Sequence, residues 1–460
     1  MVYLSSGRTK NDYWSVKLMG SVKKIGLIAC TGLVAGNMMG SGIALLPTNL
    51  AKLGSIAIIG WIVALVGAIS WAYVYSRLST INPQQGGPIA YAGEISPVLG
   101  FQTGVLYYHA NWIGNLAICI TSVSYLSTFY TIFHNPITSG IICISIIWML
   151  TLFNILGGTW ISYLTTFGLS LVLIPVIGTG IFGWYWFNME TYKTNWNISG
   201  YTDYHTIIKS ILLCLWAFIG VESASVTSNM VENPNRNVPI ATMLGTFLVG
   251  IIYIAATQVI AGMYPAAQMS SCSAPFAMSA STIVGNNWAG PVVSASIIFA
   301  CLTSLGSWMM LVGQAGARAA YDGYFPKVYG ETDKNGIPRK GLILSAIKMT
   351  FLMLVILFIN VSGVKLSDLF GHLIGIAVLL LMLPYFYSCI NLIYFEGPYF
   401  KNIQSFIASI LGCIFCFIAL IGANRFELAF TFIISLVILI FYSMKPGRCQ
   451  VQNETNSGDF

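Results

Sequence analysis

The chain has 460 residues, of which 56% are hydrophobic and only 8% are charged, against about 25% charged in an ordinary soluble domain. This leaves too little polar surface to keep a globular protein dissolved, so the composition excludes a soluble enzyme or binding domain. The formal net charge is +7. The positive residues are distributed in the way that orients a membrane protein, as shown below, so the charge gives no reason to expect a nucleic-acid partner.

Runs of about 20 apolar residues recur along the chain, and each is long enough to cross a bilayer as an α-helix. Segments of about ten residues with alternating polarity, the pattern of a membrane β-barrel, are absent from the sequence. The sequence therefore predicts an all-α polytopic membrane protein with twelve transmembrane helices. The predicted spans 1 to 12 are residues 25–48, 53–77, 98–130, 136–156, 160–187, 206–228, 240–262, 288–318, 341–361, 367–394, 404–423 and 426–444.

A basic tail precedes span 1, and the distribution of positive charge supports the count of twelve. Span 1 has full spanning length and is closely followed by span 2, which differs from the short apolar region of a cleaved signal peptide. If both termini are cytoplasmic, 15 of the 21 Lys and Arg residues lie in the inner segments, five lie outside and Lys348 lies within span 9. This bias satisfies the positive-inside rule.

Span 1 contains the stretch GNMMGSGIALLP, from Gly36 to Pro47, which is a poor sequence for a continuous helix. Unpaired peptide groups in hydrocarbon cost several kcal/mol, so a broken helix is tolerated only where it is buried in protein or lines a cavity. Two interpretations remain open. Either Gly40, Ser41 and Gly42 form a close-packing surface for another helix, or the helix unwinds and presents free amides to an anionic group.

Transporters built from inverted repeats carry interrupted helices at corresponding positions of their two halves. Span 6, five helices after span 1, reads LLCLWAFIGVESASV from Leu212 to Val226 and has Gly220 at its middle. The first and sixth positions match an inverted repeat of five helices. The predicted organisation is a cytoplasmic tail (1–24), a first repeat (25–200), a second repeat (201–396), helices 11 and 12 (397–445) and a second cytoplasmic tail (446–460).

Glu222 is the only one of the fourteen acidic residues that we place deep in a span. A charge at that depth costs at least about 2.5–3.5 kcal/mol on insertion scales, and such residues usually mark an ion or substrate path. No Lys or Arg lies on an adjacent turn of span 6, so the carboxylate favours a cationic substrate. The alternative is a carboxyl held neutral or satisfied by hydroxyls such as that of Ser223.

Aromatic residues within the spans point to the same substrate class, because aromatic faces attract ammonium groups. They are Trp216 in span 6, Trp308 in span 8, Tyr107 and Tyr108 in span 3, and Tyr385 in span 10. Many tyrosines of such a protein belong to interfacial belts or to packing, and for each of these residues that interpretation stays open.

Histidine and cysteine give no support to a membrane enzyme or a metalloprotein. The four histidines lie far apart, with no paired acid and no metal-ligand spacing, and eight of the ten cysteines lie in apolar spans. Cys413 and Cys416 form a CxxC pattern inside span 11, where small apolar packing residues are the expected interpretation. We expect no catalytic site, no metal and no cofactor.

Several long motifs, in fixed order, resemble the basic amino acid/polyamine antiporters of the amino acid–polyamine–organocation superfamily. The resemblance runs from about Lys23 to Tyr442. It implies a leucine-transporter-like fold of two inverted five-helix repeats plus two peripheral helices, with helices 1 and 6 broken. The motifs are GNMMGSGIALLPTNLA, NPQQGGPIAYAGE, FQTGVLYYHANWIGNLA, LCLWAFIGVESASV, ENPNRNVPIATM and CLTSLGSWMMLVGQ.

The resemblance also implies a set of site residues. In the arginine/agmatine member, the unwound first helix holds the substrate carboxylate and α-amine. Ser41 and Gly42 match that segment. The implied substrate-binding residues are Met38, Ser41, Gly42, Ala110, Asn111, Asn115, Trp216, Ile219, Glu222, Trp308 and Ala377. Gating is assigned to Tyr107, Glu222, Trp308 and Tyr385, and further candidates for the cation path are Tyr91 and Tyr108.

Three pocket positions depart from the arginine/agmatine pattern. Met38, Asn111 and Ala377 replace an isoleucine, a cysteine and a serine, which argues against guanidinium recognition and for a plain ε-ammonium. LYYHANWIGN and PYFYSC are most similar to the members that exchange external lysine for internal cadaverine. Arginine/agmatine and ornithine/putrescine exchange are the alternatives within the family, and a channel or receptor is the alternative outside it.

The resemblance implies partners and a location as well. The substrates would be lysine and cadaverine, and a cytoplasmic lysine decarboxylase would be coupled functionally, giving acid resistance. The chain is expected in the bacterial inner membrane with both termini in the cytoplasm. Cadaverine uptake with protons and a homodimer are left open.

Overall fold

A computed structural model describes residues 26–39, 42–81, 87–157, 159–223, 231–321, 323–333, 336–359, 366–396 and 402–443. Within these ranges the regular structure is helical, and they contain no β-strand. The prediction of an all-α protein is confirmed for this part of the chain. The helices are α1 (Leu27–Met39), α2 (Leu46–Ala51), α3 (Ala57–Ile81), α4 (Pro88–Ile95), α5 (Pro97–Leu126), α6 (Pro136–Ile155), α7 (Thr159–Phe182), α8 (Met189–Thr194), α9 (Asp203–Trp216), α10 (Pro234–Met263), α11 (Ala266–Ser270), α12 (Pro275–Val284), α13 (Ala289–Tyr321), α14 (Lys327–Gly330), α15 (Arg339–Ile359), α16 (Leu366–Glu396), α17 (Ile403–Gly422) and α18 (Arg425–Ser443).

Seven helices of the described ranges are long and apolar enough to cross a membrane: α3, α6, α10, α13, α15, α16 and α17. The chain is therefore a multi-pass membrane protein, and the count of twelve stays a prediction. Two predicted spans are shorter as helices because they are interrupted, with 13 residues in α1 and 14 in α9. Helix α5 has 30 residues, but buried polar side chains such as Gln102 and Asn115 lower its hydropathy.

The starts of α5 and α6 follow from local sequence. Ser96 accepts a hydrogen bond from the backbone nitrogen of Val98 at 3.3 Å, and a proline occupies the first helical position of α5. Asn135 accepts from the backbone nitrogen of Ile137 at 2.9 Å, again just before a proline. A side-chain cap satisfies an amide that has no partner within the helix, and proline lacks that amide altogether.

Helix α5 is the central helix of the fold and positions the site. It packs most extensively against α13 and α16, while α3 packs against α10 and α9. Most of α5 is buried, from Gly100 to Tyr125. A helix that is buried on nearly all sides can present polar groups only to a neighbour or to an internal cavity, and α5 does both.

Among the described residues, five short α-helices lie in the connections, namely α4, α8, α11, α12 and α14. The apolar-run pattern does not predict them, because each has ten residues or fewer. Near one end of the long helices, Arg77 of α3 binds Glu396 of α16 at 2.6 Å. This ion pair ties the carboxyl-terminal ends of two neighbouring helices together.

Candidate functional site

Both predicted helix interruptions coincide with the ends of helices. Helix α1 ends at Met39, residues 42–45 form turns, and α2 begins at Leu46. Gly40 and Ser41, where the first break was predicted, lie outside the described residues. Helix α9 ends at Trp216, and residues 217–222 form turns. Gly220 has a φ of +103°, a conformation that side chains other than glycine rarely adopt.

The two interrupted segments pack backbone against backbone. A Cβ atom placed on Gly220 would lie 3.3 Å from the carbonyl carbon and oxygen of Asn37. One placed on Gly42 would lie 3.1 Å from the carbonyl oxygen of Met38 and 3.5 Å from the Cα of Ala217. Glycine therefore serves both proposed purposes here, since it permits an unwound backbone and the close approach of a second segment.

Two tyrosine hydroxyls satisfy backbone carbonyls on either side of the first break. Tyr253 of α10 donates to the carbonyl oxygen of Met38 at 2.9 Å, and Tyr125 of α5 donates to that of Ala44 at 2.9 Å. The last carbonyls of a helix have no partner within it, and a membrane interior supplies no water to replace one. Sequence reasoning missed both residues, and their only signal is a tyrosine within an apolar span, in the middle for Tyr253 and near the end for Tyr125.

Replacing Tyr253 by Phe should lower the melting temperature of the purified protein in detergent. The substitution removes the hydroxyl and leaves the Met38 carbonyl buried without that donor, which costs about 1–3 kcal/mol. Tyr185→Phe is the matched control, because Tyr185 is 86% exposed and its hydroxyl is not buried against a backbone carbonyl. Equal melting temperatures for the two variants would contradict the assigned role.

The interrupted segments border a small cavity of about 40 Å³. Its walls are formed by helices α1, α5, α9, α13 and α16 and by the breaks that follow α1 and α9. Eight lining residues belong to the predicted set: Met38, Gly42, Ala110, Asn111, Asn115, Trp216, Ile219 and Trp308. Four lining residues were not predicted: Asn37, Gly114, Ile118 and Leu381.

Two hydrogen-bond donors of the cavity lining are buried and have no partner among the described residues. They are the side-chain nitrogen Nδ2 of Asn115 and the indole nitrogen Nε1 of Trp216. Leaving a buried donor unbonded costs about 1–3 kcal/mol, so such atoms mark a place for a polar ligand. The Trp216 nitrogen lies 3.9 Å from where a Cβ of Gly42 would be, beside the first break.

Glu222, Tyr107 and Tyr385, which we call the Glu222 cluster, meet just beyond the cavity. The Tyr107 hydroxyl donates to Oε1 of Glu222 at 3.1 Å, and the Tyr385 hydroxyl donates to Oε2 at 2.6 Å. Glu222 is only 1% exposed. Each carboxylate oxygen thus accepts from a different helix, α5 or α16, and the carboxylate joins both helices to the second break.

Neighbouring groups hold the Glu222 cluster in place and connect it to the cavity. The ring of Tyr385 packs edge-on against Trp71 and Tyr75 of α3, with centroids 4.9 and 5.4 Å away. On the other side, the backbone carbonyl of Tyr107 accepts a hydrogen bond from Asn111 Nδ2 at 2.7 Å. One turn of α5 therefore separates the carboxylate cluster from a side chain of the cavity wall.

The remaining predicted residues lie elsewhere. Ala377 is buried in α16 and Tyr91 in α4, and neither is among the lining residues of the cavity. The Tyr91 carbonyl accepts a hydrogen bond from the side-chain amide of Asn391. Tyr108 packs instead with Tyr329, and the ammonium of Lys348 lies 4.6 Å from the centre of its ring.

Known proteins resemble this chain over nearly its whole length. The profile of the amino acid permease family matches residues 25–446. The cadaverine/lysine antiporter of Escherichia coli strain K12 is 69% identical over 438 residues, 95% of this chain and 98% of that protein. The putrescine transporter PotE of the same strain is 30% identical over 437 residues, 94% and 98% of the two chains. PotE of Haemophilus influenzae is 33% identical over 366 residues, 79% and 83% of the two chains.

Proposed function

Because this chain belongs to the amino acid permease family, we propose that it is an antiporter exchanging external lysine for internal cadaverine. Its function is transport, and no enzymatic step is part of it. The observation that carries the proposal is a cavity next to a buried carboxylate, in a chain that is 69% identical to a cadaverine/lysine antiporter. Exchange of ornithine for putrescine is the weaker alternative, in keeping with the 30% identity to PotE.

The residues that line the cavity suit both substrates chemically. Its apolar walls, formed by residues such as Met38, Ile118 and Leu381, match the methylene chain that lysine and cadaverine share. The donors of Asn115 and Trp216 can serve a carboxylate, and the Glu222 cluster supplies negative charge for an ammonium. Trp308 and Trp216 add aromatic faces, which attract cations by about 0.5–2 kcal/mol.

The number, repeat organisation and orientation of the membrane helices are also part of the proposal. Twelve membrane helices form two inverted five-helix repeats (25–200 and 201–396), followed by helices 11 and 12 (397–445). The tails 1–24 and 446–460 lie in the cytoplasm, and the membrane is the bacterial inner membrane. Contact between the breaks of the first and sixth helices supports this arrangement, because repeat-built transporters bind substrate between such broken helices. A homodimer is the oligomeric state we propose to test.

The charges of the two substrates show what must drive the exchange. Lysine enters as a monocation and cadaverine leaves as a dication, so each cycle exports one positive charge and is opposed by an inside-negative membrane potential. Substrate gradients must therefore drive it. A cytoplasmic lysine decarboxylase would maintain both gradients, because lysine and one proton give cadaverine and carbon dioxide. The pair would remove one proton from the cytoplasm per cycle, which supports growth in acid. Whether cadaverine also enters with protons is a separate question for the same assay.

Counterflow in proteoliposomes tests the proposal. Vesicles preloaded with cadaverine should accumulate labelled lysine well and labelled arginine poorly, and vesicles preloaded with agmatine or putrescine should accumulate less lysine. Empty vesicles are the control for uptake without exchange. Equal exchange of lysine and arginine would refute the substrate ranking, and uptake that ignores the internal substrate would refute antiport.

A further inference from the structure

Helices α3 and α17 pack through two matched contacts, each between a glycine of one helix and an aromatic ring of the other. A Cβ atom on Gly67 of α3 would lie 2.6 Å from the ring of Phe415 of α17. A Cβ atom on Gly412 of α17 would lie 3.1 Å from Cδ1 of Trp71 of α3 and 3.3 Å from its Nε1. A larger residue at either glycine would displace its neighbour, so the two contacts fix the separation of the helices.

Trp71 is fixed to α17 through its indole nitrogen. The residue is 1% exposed, and its Nε1 donates to the backbone carbonyl of Gly412 at 3.2 Å. An indole N–H can only donate, and it usually finds an acceptor when it is buried. Because Gly412 has no side chain, the indole reaches the backbone of α17 directly. The orientation of the indole therefore follows the position of that helix.

The same indole also contacts a member of the Glu222 cluster. The ring of Tyr385 packs edge-on against Trp71, with centroids 4.9 Å apart and an interplanar angle of 75°, a geometry that aromatic pairs prefer. The hydroxyl of Tyr385 donates to Oε2 of Glu222 at 2.6 Å. Tyr75, one turn further along α3, also packs edge-on against Tyr385. Trp71 adds to this packing a hydrogen bond to a third helix, α17.

We propose that Trp71 is a positioning residue that ties α17 to the Glu222 cluster by holding the ring of Tyr385, an inference that rests on the proposed function. Helix α17 lies outside the two proposed five-helix repeats, so a peripheral helix takes part in closing the path at Glu222. Opening that path requires Tyr385 to leave the carboxylate, and the contacts of its ring decide how readily it returns. Trp71 therefore acts on the rate of exchange rather than on binding, since the cavity lining includes neither Trp71 nor Tyr385.

Replacing Trp71 by Leu removes both the ring and the donor. The kcat of lysine–cadaverine exchange in proteoliposomes should fall roughly three- to tenfold, the effect of losing an edge-on aromatic pair. The KM for lysine should stay within about twofold, because the residues that line the cavity are unchanged. Trp71→Phe keeps a ring and loses only the donor, so its kcat should lie between that of Trp71→Leu and that of the wild type.

Trp148→Leu is the control for losing a hydrogen-bonded indole. Trp148 of α6 donates through Nε1 to Oγ1 of Thr350 at 3.1 Å and is 39% exposed. The contacts described for the Glu222 cluster do not include it, so this variant should exchange at the wild-type rate.

A double-mutant cycle with Tyr385→Phe separates positioning from packing. Tyr385→Phe keeps the ring that Trp71 contacts and removes the hydroxyl that binds Glu222. If Trp71 acts through that hydroxyl, adding Trp71→Leu should change the kcat of Tyr385→Phe by less than about twofold, a non-additive result. An equal fall in both backgrounds would show that Trp71 only packs, and would overturn the inference. A defect of Trp71→Leu in KM alone would overturn it as well.

Two further comparisons keep the test decisive. Trp71→Met fills more of the same space without a ring, and it replaces Trp71→Leu if the leucine variant does not purify as a monodisperse protein. If Tyr385→Phe has no measurable exchange, a wild-type kcat in the ringless Trp71 variant would refute the role of Trp71. Failure of the wild-type protein to exchange cadaverine for lysine would instead refute the proposed function, and the Trp71 variants would then be compared with the amine that the wild type does exchange.

Discussion

Exchange of cadaverine should fall roughly ten- to a hundredfold when Glu222 is replaced by Gln, while lysine–lysine exchange should fall less. The substitution keeps the size of the side chain and removes its negative charge. A hydrogen bond to an ionised group is about twice as strong as a neutral one. Cadaverine, the dication, should therefore lose more binding free energy than lysine, the monocation. The carboxylate of lysine already compensates one of its two ammonium groups.

The geometry of the Glu222 cluster sharpens this expectation. Tyr107 and Tyr385 each donate to one carboxylate oxygen, and a glutamine offers only one oxygen because its nitrogen cannot accept. One tyrosine must then lose its acceptor. Glu222→Asp keeps both oxygens but withdraws them by one methylene group, so its defect should be intermediate.

Counterflow with labelled cadaverine and labelled lysine, in parallel vesicles, measures the two rates. Glu190→Gln is the control for losing a carboxylate, because Glu190 is exposed on the short helix α8. The yield and size-exclusion profile of Glu222→Gln should match the wild type. Wild-type rates of cadaverine exchange in this variant would make Glu222 structural, and Tyr107, Tyr108 and Tyr91 would then be tested for the cation site.

Replacing Gly220 by Ala should reduce kcat/KM for lysine–cadaverine exchange by roughly tenfold or more. An alanine at a φ of +103° is strained by about 1–3 kcal/mol. Its Cβ would also lie 3.3 Å from the Asn37 carbonyl, a tight contact that either segment can relieve only by moving. Asn37 and Ile219 both line the cavity, so relief of the contact displaces its walls.

Gly178→Ala is the matched control for Gly220→Ala. Gly178 lies in α7, has no atom within 4 Å of its hypothetical Cβ and does not have a positive φ. An alanine there should leave exchange unchanged or improve helix stability slightly, because alanine has the higher helix propensity. If both variants retain wild-type exchange and melting temperature, the packing of the two breaks is not required for transport.

Only some of the residues that line the cavity were predicted. The others could not be predicted from the sequence, and the reason is physical. Met38, Asn115, Trp216 and Trp308 were identified through a resemblance, yet the structure brings them together by packing α5 against α13 and by contact between the two breaks. No local pattern in a sequence contains the relative position of four helices. Ala377, identified in the same way, lies outside the lining of this cavity.

Tyr107 and Tyr108, which are adjacent on α5, show the same limit of prediction from sequence. Both lie within the same apolar span, whose pattern gives no reason to separate them, and only the resemblance assigned Tyr107 rather than Tyr108 to the gate. With 3.6 residues per turn, successive side chains of a helix point about 100° apart. Tyr107 therefore reaches Glu222, whereas Tyr108 packs beside Tyr329 and the ammonium of Lys348.

Patterns in the sequence are enough to predict a membrane protein, an all-α fold and the neighbourhoods in which two helices end. Each follows from a local property: long apolar runs demand a membrane, and Gly220 and the glycines near Gly42 permit an unwound backbone. Only the folded chain shows which groups satisfy the broken backbone and which tyrosines bind Glu222. These depend on the positions of partners such as Tyr253 and Tyr385, because a hydrogen bond requires two atoms about 3 Å apart and the sequence specifies only that both atoms exist.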